Sequence, residues 1–399
     1  MVMRFLHVAD LHLDSPLRAQ ALKNPALAAS LRNASRQALA RIIDAAIEHE
    51  VDAVLMAGDI FDSGVADVAS RAALTVEIAR LGRAGIQAVA IRGNHDALLD
   101  LGRYGPIADN FVLLTRASPT IRIGEATLHG IGFEARHVTE SLLPDYPVPE
   151  PGRLNIGLMH TSLGGAPGHD RYAPVAEADL LAHGYDYWAL GHIHQRSEYR
   201  SGRALAVMPG IPQGRSIRET GGGSATLVTL GPDGPEAQEI PIAGLRFDTV
   251  AVPMADAETQ ADQLAGLTRT LQARVRADGL SALRLILQDA GPLAGDPGFA
   301  RQLAEEAAEG LPGLFIEAVR FADSAPRTAP GVLADLAEMM RDEAKATGFR
   351  DEAAAMLDDW RRALPREIAD VLGPDALDDL IADGIDIALR RLEAGSQQE

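Results

Sequence analysis

The sequence predicts an α/β chain followed by a small α+β module and a helical tail, on three observations. Up to about residue 245, short apolar runs alternate with amphipathic helical segments. From 246 to 324 the pattern resets to strand, helix, strand, helix, strand. Beyond a linker rich in Pro and Gly, "ADSAPRTAPG", the remainder reads as helix. A chain of 399 residues exceeds one ordinary core. Three segments are therefore expected: 1–245, 246–324 and 331–399.

The elements can be justified in order. "MRFLHVA", "VDAVLMA", "IQAVAI", "RLNIGLMH" and "YDYWALGH" are apolar runs of strand length, each ending in polar residues. "ASRQALARIIDAAIEHE" and "VASRAALTVEIARLGRAG" lie between the first three and carry helical periodicity. Strand, helix, strand in repetition implies a parallel sheet with ligands beyond the carboxyl ends of its strands. "ATLHGIGF", "RALAVMPG" and "ATLVTLGPDGPEAQEIPI" follow with short turns, so the sheet becomes mixed or doubles into a sandwich, and "GPDGP" marks a hairpin. In the second segment "FDTVAVPM", "ALRLILQD" and "LFIEAVRF" are strands. "TQADQLAGLTRTLQARVRA" and "GFARQLAEEAAEGL" are its helices.

Composition narrows the function. Hydrophobic residues make up 47% and charged residues 23%, a globular balance, and no run of about 18 apolar residues could span a membrane. "MVMRFLHVADLHLD" reads as a first strand and not as a signal peptide, because Asp10 breaks the apolar run and no cleavage region follows. A cytoplasmic location is expected. The absence of Cys excludes disulfides and thiolate metal sites, leaving nitrogen and oxygen ligands. A net charge of −19 argues against a protein that coats nucleic acid by itself. From Gly331 to Glu399 there are 17 acidic against 8 basic residues, so the tail is the region least suited to phosphate. In it Leu377, Leu380, Ile381, Ile385, Leu389 and Leu392 form an apolar stripe at steps of three and four.

The strand ends carry the chemistry. The first offers Asp10 and His12, the second Asp59 and Asp62, and the third Asn94, His95 and Asp96. The fourth offers His160, and the fifth His192 and His194. Five successive apolar runs end in His, Asp or Asn, whereas ordinary turns would use Ser, Pro and Gly as often. In extended chain, residues two apart share a face, so Asp10/His12 and His192/His194 can each address one centre. Gly58 and Gly93 allow sharp turns beneath a crowded site. Such donors suit Mn²⁺, Fe or Zn in a hydrolytic site. Their number suits two ions about 3.5–4 Å apart with one bridging carboxylate. Arg92, Arg103, Arg196, Arg215 and Arg218 lie near the motifs and are candidate phosphate clamps. The other histidines, His7, His49, His129, His137, His169 and His183, read as packed or surface residues.

The ordered motifs D-x-H, G-D-x-x-D, G-N-H-D, a single His and G-H-x-H resemble those of the calcineurin-like metallophosphoesterases, over roughly residues 3–230. "DLHLDSPL", "GDIFD", "LMHTSL" and "PGIPQGRSIRETG" look most like the DNA-repair exonucleases of the SbcD type, in their YhaO-like branch. The resemblance implies a mixed β-sandwich flanked by helices, with 246–324 as a small capping domain and 331–399 as a helical partner-binding segment. It also implies two divalent metal ions, manganese above others. Asp10, His12 and His194 would hold one and Asn94, His160 and His192 the other, with Asp59 bridging. His95 would donate to the scissile phosphate or leaving oxygen, and Asp96 would orient its ring. At Asp62 the chain departs from relatives that carry His. The implied activity is an exonuclease on DNA, in double-strand-break or end processing, working with an SMC-like ATPase and as a homodimer. The other enzyme reading is a phosphatase or phosphodiesterase for nucleotides or another small phosphoester. A metal-binding scaffold that only tethers partners would need missing ligands, and none is missing.

Overall fold

The computed structural model describes residues 2–13, 15, 25–62, 67–103, 105–164, 172–255, 257, 259–277, 279–322 and 342–363, with scattered positions between 336 and 388. The chain divides into two compact units. The first comprises Met1–Ser15 and Ser30–Phe247, and the second includes Asp248–Glu399. The boundary falls beside the expected 245/246, and the segments 246–324 and 331–399 fall in the same unit.

In the first unit the elements are β1 (Met3–Val8), α1 (Pro25–Glu48), β2 (Ala53–Ala57), α2 (Val68–Arg83), β3 (Gln87–Ile91), β4 (Phe111–Leu113), β5 (Thr120–Ile123), β6 (Ala126–Gly130), β7 (Leu154–His160), α3 (Glu177–Ala182), β8 (Tyr187–Gly191), β9 (Ser197–Ser201), β10 (Ala204–Met208), β11 (Ser224–Gly231) and β12 (Gly234–Pro241). They form two six-stranded mixed sheets, ordered β12-β11-β1-β2-β3-β4 and β5-β6-β7-β8-β10-β9. β1, β2, β3 and β4 run parallel, as do β6, β7, β8 and β10. The "GPDGP" segment makes the hairpin β11–β12, with Gly231 opposite Gly234.

The near-continuous apolar character of β1, β2 and β3 follows from burial on both faces. One set of alternating side chains, Phe5, Leu55 and Val89, meets Leu158, Tyr187 and Val207 of the other sheet in a shared core. The opposite set, Leu6, Val54 and Ala88, packs with Leu39, Ile42 and Ala46 of α1 and Leu74, Ile78 and Leu81 of α2. The outer face of the second sheet, through Met159, Trp188 and Ala206, packs with Leu180 and Leu181 of α3. The result is a sandwich flanked by helices. Its core aligns the carboxyl ends of β1, β2, β3, β7 and β8.

β4, β5 and β9 had no expectation from the sequence. "SEYRS" of β9 is polar because it is an edge strand whose residues are half-buried or exposed.

The second unit holds a three-stranded sheet, β13 (Leu245–Pro253), β14 (Leu280–Gln288) and β15 (Leu314–Phe321), with α4 (Gln260–Gln272) and α5 (Pro297–Ala308). Leu267 and Leu271 of α4 and Ala300, Leu303 and Ala304 of α5 complete its core with Val250, Leu285 and Ile316. Thr259 and Asp262 form a reciprocal capping box at the start of α4. A further helix, α6, spans Thr347–Ala363. Of the apolar stripe expected at 377–392, Leu377, Leu380, Ile381 and Ile385 are helical and half-buried or exposed, while Leu389 and Leu392 lie outside the described residues. No helix among the described residues is long and apolar enough to cross a membrane.

Candidate metal centre

The seven expected ligands converge where the two sheets end together. Asp10 and His12 follow β1, Asp59 follows β2, Asn94 follows β3, His160 ends β7, and His192 and His194 follow β8. Asp10, His12, Asp59, Asn94 and His160 are all buried, which is costly for so many polar groups unless they share a partner.

The backbone reaches this arrangement by a route that spacing alone does not anticipate. Asp10, His12, Asp59 and His192 have φ of 55°, 43°, 51° and 107°. The extended-chain argument for Asp10/His12 therefore fails, although the two side chains do converge. Left-handed non-Gly residues cost of order 1–3 kcal/mol each and gather at functional sites. Here they are held by cross-loop bonds: Asp10 N–H donates to Gly58 O at 3.1 Å and His12 N–H to Asp59 O at 3.1 Å. Two glycines make room. A Cβ at Gly58, where φ is 94°, would fall 2.5 Å from His160 Nδ1, and one at Gly93 would fall 2.2 Å from Asp59 Oδ1.

Among the described residues three donor groups are within metal-binding reach of one another: Asp10, His12 and His194; Asp10, Asp59 and His160; and His12, Asp62 and His95, where Asp62 lies against both rings. In the first, Nε2 of His12 and Nε2 of His194 face each other at 3.3 Å. Their outer nitrogens lie 2.7 Å from Asp62 Oδ1 and 2.7 Å from Glu219 Oε1 respectively. The hydrogen bond to Glu219 turns the His194 N–H outward, so that Nε2 presents its lone pair to His12 Nε2, while His12 Nδ1 lies beside Asp62 without the geometry of a hydrogen bond. A cation between the two Nε2 atoms satisfies both rings. Asp10 Oδ1 is buried with no hydrogen-bond partner, 3.9 Å from His194 Nε2. Its other oxygen accepts from His192 N–H at 3.0 Å.

The second group repeats the pattern. His160 Nδ1 donates to Ala57 O at 2.9 Å, so Nε2 presents a lone pair to Asn94 Oδ1 at 3.0 Å and Asp59 Oδ2 at 3.3 Å. Asp59 Oδ2 also lies 4.0 Å from His12 Nε2, while Asp59 Oδ1 is occupied by His95 N–H at 2.9 Å. One carboxylate oxygen thus faces both groups. The His192 ring lies edge-on to His160 with centroids 5.2 Å apart. Burial holds the His12 ring down, to about 4. Burial opposes charge on His160 as well, yet the Asp59 and Asp10 carboxylates push it up to about 9, so a proton and a cation compete for the same Nε2 lone pair. These residues fit a pair of divalent cations held by nitrogen and oxygen.

His95 stands at the rim, with 41% of its side chain exposed. Its Nδ1 is 3.1 Å from the carbonyl oxygen of Asp62 and 3.2 Å from Asp62 Oδ1. Burial works against its charge, but the contact with Asp62 and the Asp59 carboxylate push its ring up to about 9.

The ring-orienting role expected of Asp96 therefore falls to Asp62. The buried Asp96 carboxylate instead accepts from Gly93 N–H (2.8 Å) and Ile60 N–H (2.8 Å), tying the loops after β2 and β3 together. Burial beside Asp59 raises it to about 7. Sequence reasoning misses Glu219, gives Asp62 no role in the centre and takes Arg215 only as a candidate clamp. The spacing G-D-x-x-D and the unexplained segment "GRSIRETG" were the signals that could have placed them. Of the candidate phosphate clamps, Arg196 is engaged by Glu198 and Thr226, and Arg215 by Asp62 and Glu219.

A paired cation site at the strand ends of such a sandwich defines a class, the metal-dependent phosphoesterases. Residues 3–196 match the family model of the calcineurin-like phosphoesterases, and the chain carries a calcineurin-like metallophosphoesterase domain. It is 35% identical to the uncharacterized metallophosphoesterase YhaO of Bacillus subtilis, over 54% of this chain and 55% of that protein. It is 30% identical to the DNA double-strand break repair protein Mre11 of Sulfurisphaera tokodaii, over 51% of this chain and 55% of that protein. With the SbcD component of the nuclease SbcCD of Escherichia coli the identity is 32%, over 25% of this chain and 22% of that protein. The chain thus spans about half the length of the first two relatives.

Proposed function

We propose that the protein is a two-metal DNA nuclease, hydrolysing phosphodiester bonds from ends during double-strand-break or end processing. The observation that carries the hydrolytic part is Asp59 Oδ2, which faces His12 and His160 at once. Asp10, His12 and His194 would hold one cation, Asn94, His160 and His192 the other, and Asp59 both. When bound, such cations supply a nucleophile at neutral pH and positive charge against the phosphoryl oxygens. Manganese is the proposed metal, since the donor set has no sulfur and includes an amide oxygen. The protein's own groups then do the rest. His95, held at Nδ1 by Asp62, turns Nε2 to the departing oxygen and gives it a proton. Asp96 keeps the Gly93 and Ile60 backbones, and so Asn94 and Asp59, in place.

DNA as substrate is supported by the relatives whose names describe nuclease and break-repair proteins. The unit after Phe247 would act as a cap, and 331–399 would bind an SMC-like ATPase. The acidic balance of that segment favours a protein partner over phosphate. Phe349, Met356 and Trp360, exposed at helical spacing on α6, would contribute to that contact. A homodimer and a cytoplasmic location complete the proposal.

The test uses pure protein with Mn²⁺, end-labelled linear duplex DNA and an aryl phosphate. Metal-dependent release of nucleotides from DNA ends is expected. Turnover of the aryl phosphate with intact DNA would instead establish the small-phosphoester reading. Co-expression with an SMC-like ATPase should yield a complex that deletion of 331–399 abolishes.

A further inference from the structure

The segment Pro209–Gly221 returns to the centre after β10 without forming helix or strand. It is anchored rather than loose. Gln213 donates to Leu245 O at 2.7 Å and accepts from Gly244 N–H at 3.1 Å, and Ile211 N–H donates to His194 O at 3.0 Å. From this anchored loop Arg215 reaches two carboxylates. One terminal nitrogen is 3.0 Å from Asp62 Oδ1 and the other 3.1 Å from Glu219 Oε1. The backbone N–H of Arg215 also donates to Glu219 Oε2 at 2.6 Å.

The same two carboxylate oxygens face the outer nitrogens of His12 and His194. A closed chain of contacts therefore runs from His12 to Asp62, Arg215, Glu219 and His194. It fixes two rings whose residues lie 182 apart in sequence. The side chains of Asp62, Arg215 and Glu219 are only 13%, 15% and 14% exposed, so water cannot easily replace these bonds. His160 is held differently, by the carbonyl of Ala57. The planar fork of arginine suits this task, because one guanidinium can meet two carboxylates at once.

We infer that Arg215 and Glu219, with Asp62, are positioning residues for the cation held by Asp10, His12 and His194. The segment "GRSIRETG" would then be a clasp that sets the affinity of that position and leaves the His160 position to the backbone. The inference rests on the two-cation reading of the centre. Losing an outer hydrogen-bond partner of a metal-binding His typically costs about 10–100-fold in affinity.

The experiment titrates Mn²⁺ into full-length protein, following bound metal by calorimetry and the coupling of the two ions by electron paramagnetic resonance. Arg215→Lys keeps the charge and loses the fork, and Glu219→Gln keeps the shape and loses the charge. Each should retain one tight Mn²⁺, weaken the other by about 10–100-fold, and replace the spin-coupled signal with that of an isolated ion. Wild-type affinity and coupling at both positions, with a rise in KM for an aryl phosphodiester in Arg215→Lys, would make Arg215 a substrate contact and overturn the inference. Equal weakening of both positions with a lower unfolding temperature would overturn it too, as a general structural role. Fewer than two Mn²⁺ in the unaltered protein would overturn the two-cation reading itself and the clasp with it.

Discussion

His95 is the residue on which the proposed chemistry turns, because its ring lies beside the candidate ligand His12 but is engaged by Asp62. His95→Ala should keep both metals after dialysis and lose turnover by about 10²–10⁴-fold, the usual worth of a general acid or base. Metal content measured alongside the rate decides this, and a metal-depleted variant would show that His95 is a ligand. Gly93 offers a second test. A methyl group there would overlap Asp59 Oδ1 at 2.2 Å, so Gly93→Ala should displace Asp59 and lower the affinity for both cations together. Retention of two tightly bound Mn²⁺ would refute the crowding argument. At this scale the convergence of the seven candidate residues was legible because each sits at or just beyond a strand end. The partners of Asp62, Glu219 and Asp96 were not, since outer contacts depend on loops that meet only in three dimensions. The four left-handed backbones escaped as well, because Asp and His adopt positive φ more often than most residues but still rarely, so neither marks it as Gly does.

At the scale of elements, the parallel strands were readable from their double-sided burial, and the helices between them from their period. The second unit's strand–helix alternation was equally plain. Short edge strands escaped, since "TIRI" and "SEYRS" place few residues in any core. Within the second unit, the β14–β15 register shifts between Leu283 and Arg284, leaving Glu317 as the extra residue of β15. Arg284 grips it bidentately at 2.9 and 3.0 Å, and the Glu317 side chain is 2% exposed. Removing one partner of such a pair leaves a charge with little solvent, at a cost of about 3–5 kcal/mol. Glu317→Ala should therefore destabilise the second unit by roughly that amount in urea unfolding, with Mn²⁺ binding to the first unit unchanged. A loss under about 1 kcal/mol would show that water or a rotamer change takes over the Arg284 fork.

For the whole molecule, cation removal should act unevenly. The first unit concentrates Asp10, Asp59, Asp62, Asp96 and Glu219 around one centre, and cations bound only by the folded form stabilise it by mass action. At a hundredfold excess over Kd that linkage is about 2.7 kcal/mol per ion. Chelation should therefore lower the unfolding transition of the first unit and leave that of the second in place. A single transition that shifts as one would show that the two units unfold cooperatively.

The separation of the ligands along the chain also governs when the centre can exist during synthesis. Asp10 and His12 emerge first, but His192 and His194 follow 182 residues later, and Glu219 later still. Chains grow from the amino end at about 5–20 residues per second and fold unit by unit. A nascent chain therefore passes many seconds between its first two candidate ligands and its last two, with Asp59, Asn94 and His160 emerging in between. Throughout that interval His192 and His194 are missing, so a stray copper or zinc ion meets a set of donors that is not yet complete. On the two-cation reading, the paired site is complete only once the polypeptide has left the ribosome far enough to close both sheets, and the cellular pool at that moment would set which ion the protein receives.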